Sequence, residues 1–539
     1  MSDRERTIKC LIESMKRRFP QEGFLIHPGI CFSPSNQKGM GVVTTCEIGK
    51  DEILLVIPES CRFNVSNISA LSVDLQNLTK QVEQRCEQWT DKNNPGDFSL
   101  ALAIMYILAQ GKHESVSNEW TMVAATWPSE DEMKQTSIYY LQADGDNERH
   151  LKKLGKSYTS EVITAHQNVL RQVFESAIYP ILNQSESVQR FSMNIHSDTS
   201  FQREFLWETF RYAFSLLWSR AHSDVNGLPE LIPLVDLING ETSDAVNVDI
   251  AKGKWPFLKG KMFRDDCKLP CSAIYATRDL AKGESLAISY GELKPSEFLI
   301  KYATIPSSMI CGSTDMVDSV CIWCPPDLVP TDTLRMRALE RNGFPLQDFA
   351  SGKTPLTELD AHSFGLYQAS GQESPDISSM RQFFILGQLA TDAEVQQNIS
   401  TGRLRVAYLM PKDIGNLLCR TLDYNLRLLE GASISSKDDI ETARQKISLA
   451  ESGLLLGRVC QRETLLQWRH LVCRKYGLGN EHGQRNGCRV CGRSYPQSTC
   501  TRCKWKGDAI AAHYCSRKHQ KKDWKQHKVE CKAQDSPSI

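Results

Sequence analysis

The stretch Leu231-Ile-Pro-Leu-Val-Asp-Leu-Ile-Asn-Gly240 carries the pattern around which the rest of this chain can be arranged. Its apolar residues 231–235 predict a short strand, and polar residues follow at Asp236 and at Asn239-Gly240. A second stretch, Gly283-Glu-Ser-Leu-Ala-Ile-Ser-Tyr-Gly-Glu292, has the same order of features. A strand is predicted at 286–288, and Tyr290 follows shortly after it. Residues 272–275 predict a further short strand in the same region.

Towards the N-terminus, the chain shows a helical stretch and then another β-rich piece. Residues 62–220 have a helical pattern, and this stretch ends with Trp218-Ser219-Arg220. Before it, Gly39-Met40-Gly41 leads into one predicted strand, and a polar turn at 49–51 separates that strand from another at 53–57. The Gly-x-Gly pattern alone is a turn signal. It is not a dinucleotide-binding loop, because the third glycine and the following helix are missing.

Towards the C-terminus, residues 330–475 are mostly helical in pattern. Apolar residues recur there at helical spacing, as Leu418, Leu422, Leu426 and Leu429, and again as Ile440, Ala443, Ile447 and Ala450. An amphipathic segment at 8–19 opens the chain, and a Gly/Asn-rich linker at 477–487 leads into a cysteine-rich tail. Two β-rich pieces around a helical insertion, followed by a helical domain, predict an α+β fold.

In this order, the motifs resemble those of a SET domain of the class that contains the Rubisco large-subunit lysine methyltransferases and the actin-histidine methyltransferase. The resemblance covers most of the chain up to residue 475. It implies a SET β-fold at 20–305, with the helical insertion at about 62–220. It also implies that the helical block at 330–475 is a substrate-binding domain of the Rubisco-methyltransferase type.

The resemblance implies a protein methyltransferase that uses S-adenosylmethionine, with lysine as the expected target. Histidine methylation and a non-catalytic adaptor with a degenerate SET scaffold stay open as alternatives. Methyl transfer is an in-line displacement, so the enzyme must align an unprotonated nucleophile with the sulfonium methyl and exclude water. The resemblance places Tyr290 as the catalytic residue that orients the nucleophile. The cofactor-binding residues that it implies are Gly39, Met40, Gly41, Ser219, Arg220, Asp236, Asn239, Gly240 and Tyr290.

Two positions depart from the pattern of the family. Asn239-Gly240 stands where the family usually has Asn-His, so backbone contacts survive but an imidazole contribution does not. Tyr302-Ala303-Thr304 stands where the family tends to have Tyr-Gly-Phe, so the pocket is expected to differ in shape. These departures are the reason why the degenerate scaffold stays open.

The cysteine-rich tail contains eight potential metal ligands in four pairs. They are Cys488-x2-Cys491, Cys500-x2-Cys503, Cys515-x3-His519 and His527-x3-Cys531. Two CxxC pairs and two pairs with a spacing of four residues make two four-ligand zinc sites. The segment is too short to fold by burying apolar surface alone, so we expect two Zn²⁺ ions to supply its folding free energy.

The tail resembles a MYND-type zinc finger at 488–531, which implies a small zinc-stabilised module that recruits a peptide or protein partner. The resemblance implies two interleaved sites, formed by Cys488, Cys491, Cys515 and His519, and by Cys500, Cys503, His527 and Cys531. His519 stands where the family usually has Cys, and His513 is the alternative ligand. Cys321-x2-Cys324 could belong to a third zinc site, but the apolar sequence at 320–324 favours a strand there.

Composition and charge restrict the class of partner and the cellular location. The 64 basic and 64 acidic residues cancel, so the net charge gives no general case for nucleic acid. Residues 504–532 carry a local charge of about +6, for which a solvated helix face is favoured over a nucleic-acid site. No signal peptide or transmembrane run is visible, and cysteines without a secretory signal predict the cytosol or the nucleus. We expect a monomer without membrane contact that binds a protein substrate.

Overall fold

A computed structural model describes most of the chain in two compact units. The first unit contains 1–142 and 164–293, and the second contains 143–163 and 294–539. The described residues are 3–18, 23–35, 39–69, 72–86, 95–111, 119–140, 154–184, 199–224, 227–241, 245–254, 270–291, 293–305, 318–359, 375–403, 411–429, 449–476, 478, 498–499, 513–514 and 521.

The first unit combines ten strands with nine helices, counted over the described residues. The strands are β1 Leu25–Ile26, β2 Ile30–Ser35, β3 Gly39–Thr44, β4 Ile53–Pro58, β5 His222–Ser223, β6 Pro229–Glu230, β7 Asn239–Glu241, β8 Val248–Lys254, β9 Pro270–Ala276 and β10 Ala287–Ser289. The helices are α1 Asp3–Arg18, α2 Val65–Ser69, α3 Val73–Cys86, α4 Pro95–Gly111, α5 Glu119–Ala124, α6 Glu130–Thr136, α7 Tyr158–Val173, α8 Tyr179–Leu182 and α9 Thr199–Arg220. Helix α7 begins in the second unit and ends in the first.

Three shorter helical turns and one wider turn complete the first unit. The 3-10 turns are Glu59–Cys61, Ile138–Tyr140 and Val235–Leu237, and the π segment is Phe174–Ile178. The largest sheet has the strand order β1-β4-β9-β8 with antiparallel neighbours. Its strand β4 is a continuous apolar run that is buried from Leu54 onward, as expected for a strand covered on both faces.

Most of the predicted elements of this unit are confirmed, with one correction. Strands lie at the predicted positions in β3, β4, β9 and β10, and the turn at 49–51 contains Asp51 with φ of 64°. The predicted strand at 231–235 is wrong. Leu231 pairs with Phe63 only as an isolated bridge, Leu234 has φ of 70°, and a 3-10 turn follows. The run is apolar because it is a buried turn, and Pro233 has no amide hydrogen for a sheet ladder.

A buried ion cluster lies beside the two-stranded β5–β6 ribbon. The Glu230 side chain is 1% exposed and contacts Arg62 at 3.3 Å and Lys252 at 2.9 Å. His222 pairs with Glu230 across the ribbon. Burial, and then the charge of Lys252, lower the pKa of His222 from 6.5 to about 4. The folded protein therefore holds this imidazole neutral.

We expect a His222→Gln variant to lose less stability in mild acid than the parent protein. A pKa that is lower in the folded state contributes stability above 6.5, and this stability is lost as the pH falls towards 4. The loss for His222 alone is about 2–3 kcal/mol, by linkage. Urea unfolding of both proteins at pH 7.5, 6, 5 and 4 measures the difference. Parallel stability curves for parent and variant would contradict the prediction.

The second unit is mainly helical. Its helices after α7 are α10 Pro295–Tyr302, α11 Thr333–Arg341, α12 Leu346–Ser351, α13 Pro375–Phe384, α14 Asp392–Thr401, α15 Pro411–Leu429 and α16 Leu449–Lys475. Its strands are β11 Val320–Ile322, β12 Thr357–Leu359, β13 Ser498–Thr499 and β14 His513–Tyr514. A 3-10 turn lies at Pro326–Leu328 and a π segment at Ile385–Leu389.

The core of the second unit confirms the leucine pattern predicted in α15. Leu418, Leu422, Leu426 and Leu429 are all buried. The second predicted pattern, at 440–450, and the linker at 477–487 lie outside the described residues, except for Leu449–Ala450 at the start of α16 and for Leu478. The predicted strand around Cys321 is confirmed as β11, which pairs with β12. Over the described ranges, no helix has the length and apolar character needed to cross a membrane.

Helices α10 and α16 of this unit approach each other very closely. A Cβ built on Gly453 would lie 2.3 Å from the carbonyl oxygen of Ala303, and one on Gly457 would lie 2.6 Å from Leu299. Ala303 itself ends α10 with φ of 51°. Two glycines one turn apart therefore allow a helix crossing that side chains would prevent.

Candidate cofactor site

The first unit brings the sequence-distant motifs together through two backbone ladders. Strand β7 pairs with β10 in parallel, so that Asn239 faces Ala287 and Gly240 faces Ile288. The segment just before β10 pairs instead with β3, because the Leu286 amide donates to Val42 at 2.8 Å and the Thr44 amide donates to Glu284 at 2.9 Å. Strands β3, β7 and β10 therefore meet near residues 286–287, where the chain stops pairing with β3 and begins to pair with β7.

Met40 is the residue of the Gly-x-Gly motif whose backbone faces this meeting point. The Val42 carbonyl accepts from the Leu286 amide, and the Thr44 amide and carbonyl bond to Glu284 and Gly283, so these groups point away from β2. Residues alternate along an antiparallel strand, so Met40 directs its groups the same way, whereas those of Gly39 and Gly41 point to β2. The register would set Met40 opposite Ile288, and no backbone hydrogen bond joins these two described residues. The Met40 strand edge is therefore a candidate for contact with a ligand.

The ring of Tyr290 lies directly against Gly240. A Cβ built on Gly240 would lie 2.1 Å from two ring carbons of Tyr290, which is far inside van der Waals contact. The Tyr290 hydroxyl lies 3.5 Å from the carbonyl oxygen of Ile238. Burial raises the pKa of Tyr290, and the charge of Arg220 opposes that shift. At neutral pH the hydroxyl is therefore a neutral donor and acceptor held over β7.

The buried Asp236 and the partly exposed Arg220 form a polar pair next to this tyrosine. The Arg220 guanidinium donates to the backbone carbonyl of Asp236 at 2.6 Å, and its Nη1 lies 3.9 Å from the Asp236 Oδ2. The Asp236 side chain is only 2% exposed, and its Oδ1 has no hydrogen-bond partner among the described residues. Burial raises the pKa of Asp236, while Arg220 and Arg4 oppose that shift. A buried carboxylate oxygen without a partner is costly, so it calls for a donor from a ligand or from water.

Arg4 is the part of this cluster that the sequence analysis missed. Its Nε donates to the carbonyl of Thr126 at 2.8 Å, and its Nη1 lies 3.3 Å from Glu132. Its Nη2 is buried without a partner in the described part of the chain. Burial, and then the charge of Arg220, lower the pKa of Arg4. The signal was present in the sequence, because Arg4 extends the buried α1 stripe of Ile8, Leu11 and Met15 by one turn.

The two remaining predicted residues have different surroundings. Ser219 donates its hydroxyl to the carbonyls of Ser215 and Leu216 at 2.9 and 3.2 Å, so its side chain is used within α9. Asn239 is partly exposed at the start of β7, beside Gly240. Of the predicted cofactor residues, the structure gathers Met40, Arg220, Asp236, Asn239, Gly240 and Tyr290 around one place.

The eight predicted zinc ligands (Cys488, Cys491, Cys500, Cys503, Cys515, His519, His527 and Cys531) all lie outside the described residues. The tail does contain one described feature, the antiparallel pair β13–β14, in which Thr499 faces His513. Six thiolates and two imidazoles are a donor set that suits tetrahedral Zn²⁺. Over the described residues, no group of three potential metal ligands is present. There, burial raises the pKa values of Cys321 and Cys324 to about 12.

Comparison with known proteins shows a family match for the tail and a similar fold for most of the chain. Residues 488–531 match the family model of the MYND finger. The SET domain of LSMT bound to lysine and AdoHcy is similar in structure, with a TM-score of 0.51, 14% identity, and coverage of 87% of this chain and 92% of that chain. Rubisco LSMT bound to sinefungin and monomethyllysine gives a TM-score of 0.51 and 15% identity, with coverage of 88% and 92%.

A third structure, Rubisco LSMT bound to AdoMet, gives a TM-score of 0.50 and 14% identity, with coverage of 88% of this chain and 93% of that chain. No curated protein matches the chain in sequence. At these identities the structural likeness establishes the fold. The chain is a SET-fold protein with a MYND finger at 488–531, and the predicted α+β fold class is confirmed.

Proposed function

We propose that this chain is an S-adenosylmethionine-dependent protein methyltransferase that methylates lysine, and that its MYND finger recruits a protein partner. The observation that carries the proposal is the cluster of Arg4, Asp236 and Tyr290, with Asn239 at the start of the adjacent strand β7. The SET fold supports it, because the three similar structures contain AdoMet, AdoHcy or sinefungin, and two of them contain a lysine or methyllysine.

The unsatisfied polar atoms of the cluster fit the amino-acid end of S-adenosylmethionine. That end is a zwitterion, with one carboxylate and one ammonium group. The buried Arg4 Nη2 is a donor that suits the carboxylate, and the buried Asp236 Oδ1 is an acceptor that suits the ammonium. Arg220 keeps Asp236 in place through the 2.6 Å bond to its carbonyl. The Met40 backbone and the Asn239 amide would add neutral hydrogen bonds.

S-adenosylmethionine would supply an electrophilic methyl group on a sulfonium ion. The residues of the chain then have to orient an unprotonated amine and keep water away. Tyr290 suits the first task, because its neutral hydroxyl and the Ile238 carbonyl lie 3.5 Å apart at the end of β10. Two hydrogen-bonding groups held on rigid strands restrict the direction of an amine better than a loop would. Strand β10, which is buried at Ala287 and Ile288, limits access of water on its side of the site.

Calorimetric titration with S-adenosylmethionine tests the cofactor site. We expect the zinc-loaded full chain to bind S-adenosylmethionine. Arg4→Ala removes a charged contact and should weaken binding by roughly 10–100-fold, whereas Asn239→Ala removes a neutral contact and should weaken it by less. Arg17→Ala is the matched control, because Arg17 lies exposed on the same helix α1. Equal affinities for Arg4→Ala, Arg17→Ala and the parent would remove Arg4 from the site. No binding by the parent would favour the adaptor.

Labelled methyl transfer into protein extracts tests the acceptor. Tritiated S-adenosylmethionine and the parent protein should label substrates that a Tyr290→Phe variant does not label. Mass spectrometry of the labelled peptides then identifies the methylated side chain. Methylation on lysine is the expected result, and methylation confined to histidine would replace the proposed target.

A further inference from the structure

Helices α15 and α16 of the second unit run antiparallel and contact each other once per turn. Asp423 of α15 accepts hydrogen bonds from Arg469 of α16 at 2.5 and 3.3 Å. One turn along both helices, the Sγ atoms of Cys419 and Cys473 lie 3.3 Å apart. One turn further, Gly415 lies against Tyr476, where a Cβ would come within 2.6 Å of the tyrosine. Two cysteines thus oppose each other in a regular ladder, within hydrogen-bonding distance.

The surroundings of the two thiols make them chemically different. The hydrogen bond from Cys419 lowers the pKa of Cys473, and the charge of Arg469 adds to this effect, while burial and Asp423 oppose it. The same hydrogen bond, together with burial, raises the pKa of Cys419. Cys473 is also partly exposed, whereas Cys419 is buried. The more accessible sulfur is therefore the one whose pKa is lowered, and its buried neighbour is the one whose pKa is raised.

We propose that Cys419 and Cys473 form a modification site, a dithiol that a hydroperoxide converts into a disulfide between α15 and α16. The Cys473 thiolate attacks one oxygen of the hydroperoxide, the O–O bond breaks, and Cys473 becomes a sulfenic acid while hydroxide or alkoxide leaves. The Cys419 sulfur then attacks the sulfenic sulfur, and its proton leaves with the hydroxyl group as water. With hydrogen peroxide, two thiols and one peroxide give one disulfide and two waters.

The geometry requires little movement. A disulfide has an S–S distance of about 2.05 Å, so the two sulfurs have to approach by roughly 1.3 Å, which is within the range of side-chain rotation. The bond would fasten α16, the helix that leads towards the 488–531 finger, to α15 at one rung of their ladder. A thiol–disulfide exchange reagent in the cell would reverse it.

Cys321 and Cys324 differ from this pair. Burial raises the pKa values of Cys321 and Cys324 to about 12, so their thiols stay protonated. Cys460 lies on the same helix as Cys473 and is also partly exposed, which makes it a matched control position. We therefore expect any selectivity for Cys473 over Cys460 to come from the Cys419 thiol and Arg469, since exposure and helix are shared.

The test is peroxide oxidation of the reduced, zinc-loaded full chain, with tryptic mapping of every cysteine. We expect low micromolar to millimolar hydrogen peroxide to produce a crosslinked Cys419–Cys473 peptide, two mass units lighter than the reduced pair. The crosslink should form equally in Cys460→Ser. In Cys419→Ser it should be replaced by a sulfenic acid on Cys473 that dimedone traps. The crosslinked protein should melt about 5 °C or more above the reduced protein, because the bond closes a long loop.

Two further variants separate chemistry from folding. Arg469→Gln should slow alkylation of Cys473 by iodoacetamide at neutral pH by several-fold, with Cys460 unchanged. Dithiothreitol should return the melting temperature of the oxidised protein to its original value. The proposal would be overturned if Cys473 were oxidised no faster than Cys460, or if the crosslinks of Cys473 were spread over several cysteines. If the parent protein formed the crosslink but dimedone trapped no sulfenic acid on Cys473 in Cys419→Ser, the assigned order of attack would be overturned.

Discussion

Replacing Gly240 with alanine should reduce methyl transfer by about 100-fold or more while lowering stability by only about 1–3 kcal/mol, the usual range for overpacking. The added Cβ would fall 2.1 Å from the ring of Tyr290, and no real contact of this kind is that short. The strand β7 is fixed by its pairing with β10, so the partly exposed ring of Tyr290 has to move. Its hydroxyl then leaves the Ile238 carbonyl, and a displacement of about 1 Å at a reacting centre is enough for this loss. The prediction rests on the proposed function.

Kinetic and stability measurements on a small set of variants check this prediction. Tyr290→Phe keeps the ring and should be as stable as the parent but poorly active. Gly240→Ala combined with Tyr290→Ala should recover the stability that Gly240→Ala loses, because the clash is gone, without recovering activity. Gly387→Ala is a control glycine, because its added Cβ would meet its nearest neighbour at an ordinary 3.6 Å. Full activity of Gly240→Ala would show that Tyr290 does not act from the position it has here.

The same contact gives a physical reason for the departure from the family pattern at this position. A histidine at position 240 would need the volume that the Tyr290 ring fills, so glycine and this placement of the tyrosine belong together. The Asn-Gly pair is therefore a compensated arrangement in the present fold. Loss of an imidazole does not by itself imply loss of the site.

Local patterns predicted most elements of the fold but not how the elements meet. The leucines of α15 and the apolar run of β4 were readable from the sequence, since periodicity and continuous burial are local properties. The turn at 231–235 was misread, because a buried turn and a buried strand are equally apolar. Only the backbone, with Pro233 and the positive φ of Leu234, distinguishes them.

The site residues that belong to a sequence motif were predictable, whereas contacts that depend on long-range geometry were not. Asn239 and Tyr290 follow from the resemblance, whereas the contact of the Tyr290 ring with Gly240 depends on a register between β7 and β10 that no local pattern specifies. Arg4 lies more than 200 residues from Asp236 in sequence. A charged residue on the buried stripe of α1 was a visible anomaly, but the sequence could not indicate which carboxylate it approaches.

Removing zinc should unfold residues 488–531 completely and leave the helices of 411–475 folded, which is the largest effect expected for any single perturbation of this chain. Structural zinc contributes roughly 10–16 kcal/mol of apparent binding free energy in finger peptides, and a segment of this length has no core to replace it. Metal analysis should find about two zinc ions per chain. Hydrogen exchange before and after addition of a strong chelator should show loss of protection confined to the tail.

Two histidine variants then decide the ligand set. His519→Ala should leave one site with three ligands and release one zinc per chain at a chelator concentration that the parent resists. His513→Ala is the matched control, because His513 lies in β14 only six residues away. If His513→Ala released one zinc and His519→Ala released none, His513 would be the ligand and the β13–β14 pair would be part of the zinc site. One or three zinc ions in the parent would reject the eight-ligand assignment. Loss of protection across 411–475 on chelation would mean that the helical domain depends on the finger for its own stability.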